Sequence, residues 1–206
     1  MIKLPIKSYA IVKHVGSMVA SDKRRNSHEG AGLSVSRHPE EWQEIARGFV
    51  HGDTWSGKRS DGTKGRFADY HRITKATLAD VERWAVEAGL ATPTEIHCFS
   101  YEDDELECTR SFAFATEEER DQEAEEHEDA EFFTEPGIAA TDALREISRH
   151  DCGPGFATEM ALLAYIDRET DLDGCWWNDV LDVDALSAPR GVITPSRISA
   201  WTFRKE

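Results

Sequence analysis

Long hydrophobic runs are absent from this sequence. No stretch approaches the roughly 18 consecutive apolar residues that a membrane span needs, and residues 1–5 lack the apolar core of a signal peptide. We therefore expect a cytoplasmic protein with no membrane association. The chain has 206 residues, of which 39% are hydrophobic, and this is enough for one core. A single domain over residues 1–206 is predicted.

Cysteine is also scarce. The four cysteines, Cys98, Cys108, Cys152 and Cys175, lie far apart and form no Cys-x-x-Cys pair. Neither a disulfide framework nor a metal cluster is predicted, and free thiols are typical of a reducing compartment. The aspartates of residues 171–184 surround a glycine but lack the Glu that closes a calcium loop, so no metal site is expected.

Three common catalytic signatures are missing from the sequence as well. It contains no Walker loop, no Rossmann glycine fingerprint and no Gly-x-Ser-x-Gly nucleophile elbow. Nucleoside triphosphate hydrolysis, hydride transfer and Ser-His-Asp hydrolysis therefore have no support from any motif.

Positive charge is in short supply. The chain has 24 Lys and Arg against 40 Asp and Glu, a net charge of -16, which argues against direct nucleic-acid binding because that depends on basic side chains. The distribution is uneven: residues 1–75 carry 14 basic and 8 acidic side chains, while residues 101–135 carry 16 acidic side chains against Arg110 and Arg120. This asymmetry indicates a basic face and an acidic segment with different roles.

The alternation of apolar and polar residues in some segments, the helical periodicity of apolar residues in others and the helix-capping residues predict an α+β fold. It has a mixed or antiparallel sheet core, flanking helices and an acidic helical insertion over residues 101–135. Residues 51–66, with four glycines, are predicted to be a loop or a loose hairpin. The predicted strands cover residues 8–14, 33–36, 94–99, 110–115, 191–193 and 198–203. The predicted helices cover residues 39–48, 77–88, 117–130 and 157–166, and one further helix is predicted to begin at residue 141.

Two glycine-bearing segments near the N-terminus have the composition of a nucleotide site. A histidine at a strand end beside a glycine can hydrogen-bond a ribose hydroxyl, while the glycine lets the chain approach a flat ring. A glycine-bearing loop before the second strand offers backbone N–H groups to a diphosphate, with a basic loop as countercharge. A partly buried core histidine is the alternative for His14. The candidate nucleotide-binding residues are His14, Gly16, Ser17, Arg24, Gly32, Leu33, Ser34 and Ser36.

The order of these segments resembles the NAD-binding half of the diphtheria-toxin-like ADP-ribosyltransferases. That family has a His-Gly-Thr/Ser strand, then a Gly-x-Gly-φ-Tyr-φ-Ser strand, and ends in a strand of the type Glu-x-Val-φ-Pro. The corresponding segments here are residues 14–17, 30–36 and 190–198. The resemblance implies that NAD is the cofactor and that ADP-ribose is transferred to a protein or nucleic acid.

Two positions depart from the family pattern. Ser34 stands where the family has the Tyr that stacks on nicotinamide, and Gly191 or Arg190 stands where it has the catalytic Glu. Without that carboxylate, stabilisation of the developing oxocarbenium ion is missing. Either Glu29 substitutes from the loop, or the fold is retained and the chemistry is lost. The catalytic candidates are therefore His14 and Glu29.

The acidic segment supports a different function. A carboxylate-rich helix can imitate nucleic-acid phosphates and occupy a basic surface of a protein partner, as expected of an inhibitor or immunity factor of a mobile element. Phe132, Phe133 and Ile138 would add a hydrophobic anchor. A solvated helix that maintains solubility is the simpler explanation. The candidate partner-binding residues are Glu117, Glu118, Glu119, Glu125, Glu126, Glu128 and Asp129.

Trp176 and Trp177 form the one pair of adjacent tryptophans in the chain. Paired aromatic side chains bury a large area and carry a polar N–H group. We expect them to anchor the C-terminal strand in the core, and packing of one of them against a ligand is the alternative.

Overall fold

The structure is an α+β fold with two sheets and flanking helices, as the sequence predicts. It is a computed structural model that describes residues 2–16, 18, 32–37, 53–70, 75–103, 108–148, 157–177 and 190–206. The helix expected over residues 39–48 lies outside this part of the chain. Within it, no helix is long and apolar enough to cross a membrane.

The strands and helices alternate irregularly along the chain. The strands are β1 (Ile6–Tyr9), β2 (Val12–Val15), β3 (Leu33–Ser36), β4 (Thr54–Arg59), β5 (Gly65–Asp69), β6 (Ala91–Asp103), β7 (Cys108–Phe114), β8 (Glu131–Ala140), β9 (Gly174–Trp177), β10 (Arg190–Ile193) and β11 (Trp201–Lys205). The helices are α1 (Lys75–Glu87), α2 (Glu117–Ala124), α3 (Asp142–Ser148), α4 (Ala157–Glu169) and a 3-10 helix, Pro195–Ala200.

Eight strands form one strongly curled sheet in the order β1-β5-β9-β10-β3-β2-β4-β11. Its strand pairs are antiparallel except for β5 with β9. The strands β4 and β5 are joined only by residues 60–64, a connection that spans at most about 20 Å. In a flat sheet these strands would lie about 24 Å apart, five strand spacings. The sheet therefore curls, and the ring of Trp201 in β11 reaches Phe67 in β5 with centroids 6.0 Å apart.

Alternate residues of all eight strands point into the concave side of this sheet, which we call the inner face. Its buried core consists of Val12, Val35, Phe67, Trp176, Ile193 and Trp201. Glycines face these rings: a side chain on Gly57 would meet the ring of Phe203, and one on Gly65 would meet that of Trp201. Glycine in a strand interior commonly marks such a close approach.

The opposite side of the curled sheet packs against helices. Ala68, Cys175 and Val192 of the sheet join a larger core with side chains of α1, α3 and α4. Helix α4 is buried over most of its circumference, from Ala157 to Ile166, as expected for a helix that is apolar on nearly all sides. Helix α1 ends at Gly89, whose φ of 71° is the left-handed conformation that the sequence predicts for this position.

The second sheet has three antiparallel strands in the order β7-β6-β8, and the acidic helix α2 lies over its aromatic face. Phe99 is fully buried there and stacks on Phe112, with ring centroids 5.2 Å apart. Arg120 of α2 lies 4.8 Å above the ring of Phe132 and pairs with Asp121 at 2.6 Å. The predicted cap is confirmed, because the hydroxyl of Thr116 accepts a hydrogen bond from the Glu119 N–H.

Four elements differ from the sequence predictions. The last strand, predicted over residues 198–203, begins at Trp201, because residues 195–200 form a 3-10 helix that starts at Pro195. The predicted strand over residues 8–14 is divided into β1 and β2, which pair with different strands. The part of residues 51–66 that the structure describes contains β4 and the start of β5, and these two strands do not pair with each other. Gly57 and Gly65 lie against aromatic rings. The acidic helix ends at Ala124, and residues 131–140 form β8, a strand that the sequence reading missed.

Candidate functional site

The three segments that carry the transferase resemblance lie on neighbouring strands. Strand β3 lies between β2 and β10 in the curled sheet. Lys13 pairs with Ser36 across β2 and β3, and Val192 pairs with Ser34 across β10 and β3. Residues separated by more than 170 positions in sequence are therefore brought within two strand spacings, about 10 Å.

His14 is on the inner face and is almost completely buried, with 1% of its surface exposed. Its Nδ1 lies 2.8 Å from the carbonyl oxygen of Ser34, and because a carbonyl oxygen can only accept, Nδ1 is the donor of this hydrogen bond. Trp55 pairs with His14 across β2 and β4, and its indole N–H donates to the carbonyl oxygen of Gly16 at 3.0 Å. The hydrogen bond from Nδ1 to Ser34 thus ties the imidazole of β2 to the backbone of β3.

One row of residues crosses the inner face through His14. The pairing of Lys13 with Ser36 puts Val35 beside His14. Val35 pairs with Gly191, Gly191 with Trp176, and Trp176 with Asp69. Side chains of laterally paired residues point to the same face, so His14 and Asp69 both lie on the inner face, in the same row of residues.

The position of the family's catalytic Glu is occupied differently in this chain. Gly191 faces inward, and a Cβ there would lie 2.6 Å from the Trp176 ring and 2.9 Å from the Cys175 carbonyl oxygen. The Trp176 indole, which is fully buried, fills the space that a longer side chain would need. Only the backbone of Arg190 is described, so its side chain adds nothing here. Trp176 belongs to the core, as the sequence predicts.

A buried carboxylate does lie on the same row. Asp69 is 2% exposed and pairs with Lys7 Nζ at 2.8 Å. Sequence reasoning missed Asp69 and Trp55, because both lie in or near the glycine-bearing segment that was interpreted as a loop. The alternation of Phe67 and Asp69 after Gly65 was the available signal for a strand with an inward carboxylate.

The other candidate nucleotide-binding residues have mixed placements. Gly16 ends β2 with a φ of 124°, a conformation that favours glycine. Gly32 precedes β3, where a side chain would collide with the Ile193 carbonyl oxygen, and Leu33 packs at the edge of the inner core. The side chains of Ser34 and Ser36 lie on the face opposite His14, and the carbonyl oxygen of Ser34 contacts the imidazole. Ser17, Arg24 and Glu29 lie outside the described residues.

The candidate partner-binding residues lie on the second sheet's side of the molecule. Glu117, Glu118 and Glu119 form the first turn of α2, and the remaining four lie in the turns after it; all seven are exposed. Phe132 and Phe133 of β8 are 52% and 40% exposed beside them. A cavity of about 350 Å³ on this sheet is open to solvent and is lined by Pro93, Thr94, Glu95, Thr134, Glu135 and Pro136.

Two cysteine thiols and one carboxyl group in the core have raised pKa values. Burial raises the pKa of the Cys175 thiol, and burial also raises that of Cys98, so neither forms the thiolate that a nucleophile needs. Both are free thiols, as is Cys108. In the helical layer, burial raises the pKa of Glu159, whose carboxylate accepts a hydrogen bond from the Tyr70 hydroxyl at 3.0 Å.

Comparison with known proteins adds no family. No family model matches the chain. No curated protein and no solved structure matches it either.

Proposed function

We propose that this chain is an ADP-ribosyltransferase-like protein that binds NAD on the inner face of the curled sheet. The observation that carries the proposal is the convergence of β2, β3 and β10, the three strands that resemble the family's NAD-binding strands. A dinucleotide site assembled from segments so far apart in sequence requires them to be neighbours in space.

His14 is the residue we assign to ribose recognition. Because Nδ1 donates to Ser34, the imidazole has one orientation, and Nε2 can accept a hydrogen bond from a ribose hydroxyl. Gly16, beside it, allows close approach of the ligand to the backbone.

Transfer of ADP-ribose to a macromolecule is the second part of the proposal. The oxocarbenium ion that forms as nicotinamide leaves needs a nearby carboxylate. Gly191 offers none, and we assign this role to Glu29, which precedes β3 in the sequence. Glu29→Gln should leave NAD affinity within about twofold and abolish release of nicotinamide. If the wild type binds NAD and releases no nicotinamide, the protein binds the cofactor without catalysing the transfer reaction.

The first prediction concerns NAD affinity. His14→Gln should weaken NAD binding by about tenfold or more, the effect of losing one well-oriented hydrogen bond, as measured by isothermal titration calorimetry. His127→Gln is the matched control, because the His127 ring stacks on the ring of Tyr101 in the three-stranded sheet, with ring centroids 3.8 Å apart. Thermal melts establish that both variants fold. Absence of NAD binding by the wild type, or equal binding by His14→Gln, would contradict the proposal.

A second candidate function rests on the exposed acidic side chains of α2. Arg120 contacts Phe132 and Asp121 beneath them, so the helix is fixed to the sheet while Glu117, Glu118 and Glu119 stay in solvent. The exposed Phe132 provides an adjacent apolar contact. We propose that this surface binds a basic protein partner if the NAD site is not functional.

The second prediction tests the acidic surface with an oligolysine peptide as probe. Replacing Glu117, Glu118 and Glu119 with Gln should lower affinity about tenfold at low salt, and wild-type binding should fall steeply as salt rises. The control neutralises Asp142, Glu146 and Glu169, which are exposed on α3 and α4. If both triple variants lose the same affinity for the peptide, the effect comes from net charge, and a localised binding surface is rejected.

A further inference from the structure

We propose that Arg37 binds the diphosphate of the dinucleotide, an inference that rests on the proposed NAD site. Arg37 follows β3 directly and has the same inward orientation as Leu33 and Val35, two and four residues before it. Its guanidinium carbon lies 4.8 Å from the centre of the Trp176 ring and 5.3 Å from that of the Tyr9 ring. The side chain is exposed, so a ligand can reach it.

The contacts of Arg37 with Trp176 and Tyr9 use the charge of the guanidinium and none of its hydrogen-bond donors. The N–H groups of a guanidinium lie in one plane and form a rigid fork. That fork matches two phosphate oxygens and gives a bidentate, charge-assisted contact. Tyr9 and Trp176 themselves lie 5.2 Å apart, so together they form a preformed platform for the guanidinium.

Arg37 also differs from most described arginines in its lack of a carboxylate partner. Arg59, Arg66, Arg83, Arg110, Arg120 and Arg145 each pair with an aspartate or glutamate. Among the residues whose positions are described, none forms an ion pair with Arg37. In a chain with a net charge of -16, an arginine on an aromatic platform without an acidic partner is suited to an external anion.

Two features beneath Arg37 fit an anionic, oxygen-rich ligand. The indole Nε1 of Trp176 is buried and has no acceptor within the described ranges, so it can donate to an oxygen atom that those residues do not supply. The carboxylate paired opposite Trp176, that of Asp69, is already neutralised by Lys7 at 2.8 Å. Repulsion of a phosphate by this aspartate is therefore reduced.

The strand register places the platform of Tyr9 and Trp176 three strand spacings from His14. Trp176, Gly191, Val35 and His14 occupy successive strands on one row, about 14 Å along the sheet and less across its concave side. A dinucleotide with one ribose at His14 therefore has its diphosphate within reach of the Arg37 side chain. Recognition of the diphosphate, rather than of either base, is the specificity that this arrangement provides.

The third prediction compares ligands with and without a diphosphate, by calorimetry, in Arg37→Ala and Arg168→Ala. Arg168 is exposed in the last turn of α4, so its removal makes the same charge change away from the inner face. Arg37→Ala should weaken binding of NAD and ADP-ribose about 10- to 100-fold and leave nicotinamide riboside within about twofold. Arg168→Ala should leave all three unchanged. Arg37→Lys should recover only part of the loss, because lysine lacks the planar fork.

The outcomes separate this inference from the proposed function. If the wild type and Arg37→Ala bind ADP-ribose equally, the role of Arg37 is overturned and NAD binding stands. A parallel loss of nicotinamide riboside affinity in Arg37→Ala would also overturn it, because the effect would then be structural. If the wild type binds ADP-ribose through Arg37 and does not bind NAD, the diphosphate site stands and the proposed function fails. If neither ligand binds, both are rejected.

Discussion

Arg59→Ala is expected to lower the free energy of unfolding by about 3–5 kcal/mol, because it leaves a buried carboxylate without its charge partner. Asp173 is fully buried and accepts hydrogen bonds from the Arg59 guanidinium and from the Arg66 backbone N–H at 3.0 Å. Arg59 ends β4 and Asp173 precedes β9, so this ion pair joins two strands that are four positions apart in the sheet order. It stabilises the curl that creates the inner face.

Urea denaturation with constant m-values would measure this loss. Asp61→Asn is the control, because Asp61 is an exposed partner of the same arginine, at 3.0 Å, and its replacement should change stability little. The pKa of Asp61 is lowered mainly by its hydrogen bond from Arg59, so the small stabilisation from this pair is present above the unfolded-state pKa and lost as pH falls. A loss in Arg59→Ala no larger than that in Asp61→Asn would contradict the structural role of the Asp173 pair.

Gly191→Glu, which restores the family's carboxylate in sequence, is expected to destabilise the chain by about 4 kcal/mol or more and to yield no transferase activity. The new Cβ would lie 2.6 Å from the Trp176 ring, and the carboxylate would be buried between β9 and β3 without a partner in the described structure. Both effects belong to the short list of changes that cost most in stability.

The control for Gly191→Glu is Ser111→Glu, a small residue on the exposed side of β7, which should stay within about 0.5 kcal/mol of wild type. The measurements are denaturant unfolding and release of nicotinamide from NAD. A stable Gly191→Glu protein that releases nicotinamide would show that the Trp176 ring moves to make room for the new side chain. It would overturn our explanation for the absence of Glu at this position.

The elements that sequence predicts well are those specified by local signals. The strand β3 shows alternation, α2 has a hydroxyl cap at Thr116, and α4 has a long apolar run, so each begins where the pattern indicates. The hairpin of β6 and β7 follows from two β-rich runs around an acidic turn. These features depend on neighbours in sequence.

The missed strands depend on distant partners. Gly57 and Gly65 resemble loop residues, yet they are required in β4 and β5 because Phe203 and Trp201, over 130 residues later, lie against them. Pro136 argues against a strand, but β8 pairs only with β6 in the described structure, and proline is tolerated on an edge strand. No local pattern contains this information.

The same distinction applies to the candidate site. The neighbourhood of His14 and Ser34 follows from the resemblance to the transferase strands. Asp69 and Arg37 join the site through lateral register across several strands and through contact with Trp176. Register over five strands arises from the packing of the whole sheet, so sequence patterns identify the first pair of residues and not the second.

The central claim, that NAD binds on the inner face, is tested most directly by the tryptophan indole N–H resonances in assigned ¹H–¹⁵N spectra. Trp55 and Trp176 lie on the row through His14, whereas Trp84 packs against Tyr165 in the helical layer, with ring centroids 5.2 Å apart. We predict that NAD shifts the indole signals of Trp176 and Trp55 and leaves that of Trp84 unchanged. Unchanged Trp176 and Trp55 signals in excess NAD, or a shift confined to Trp84, would contradict the account.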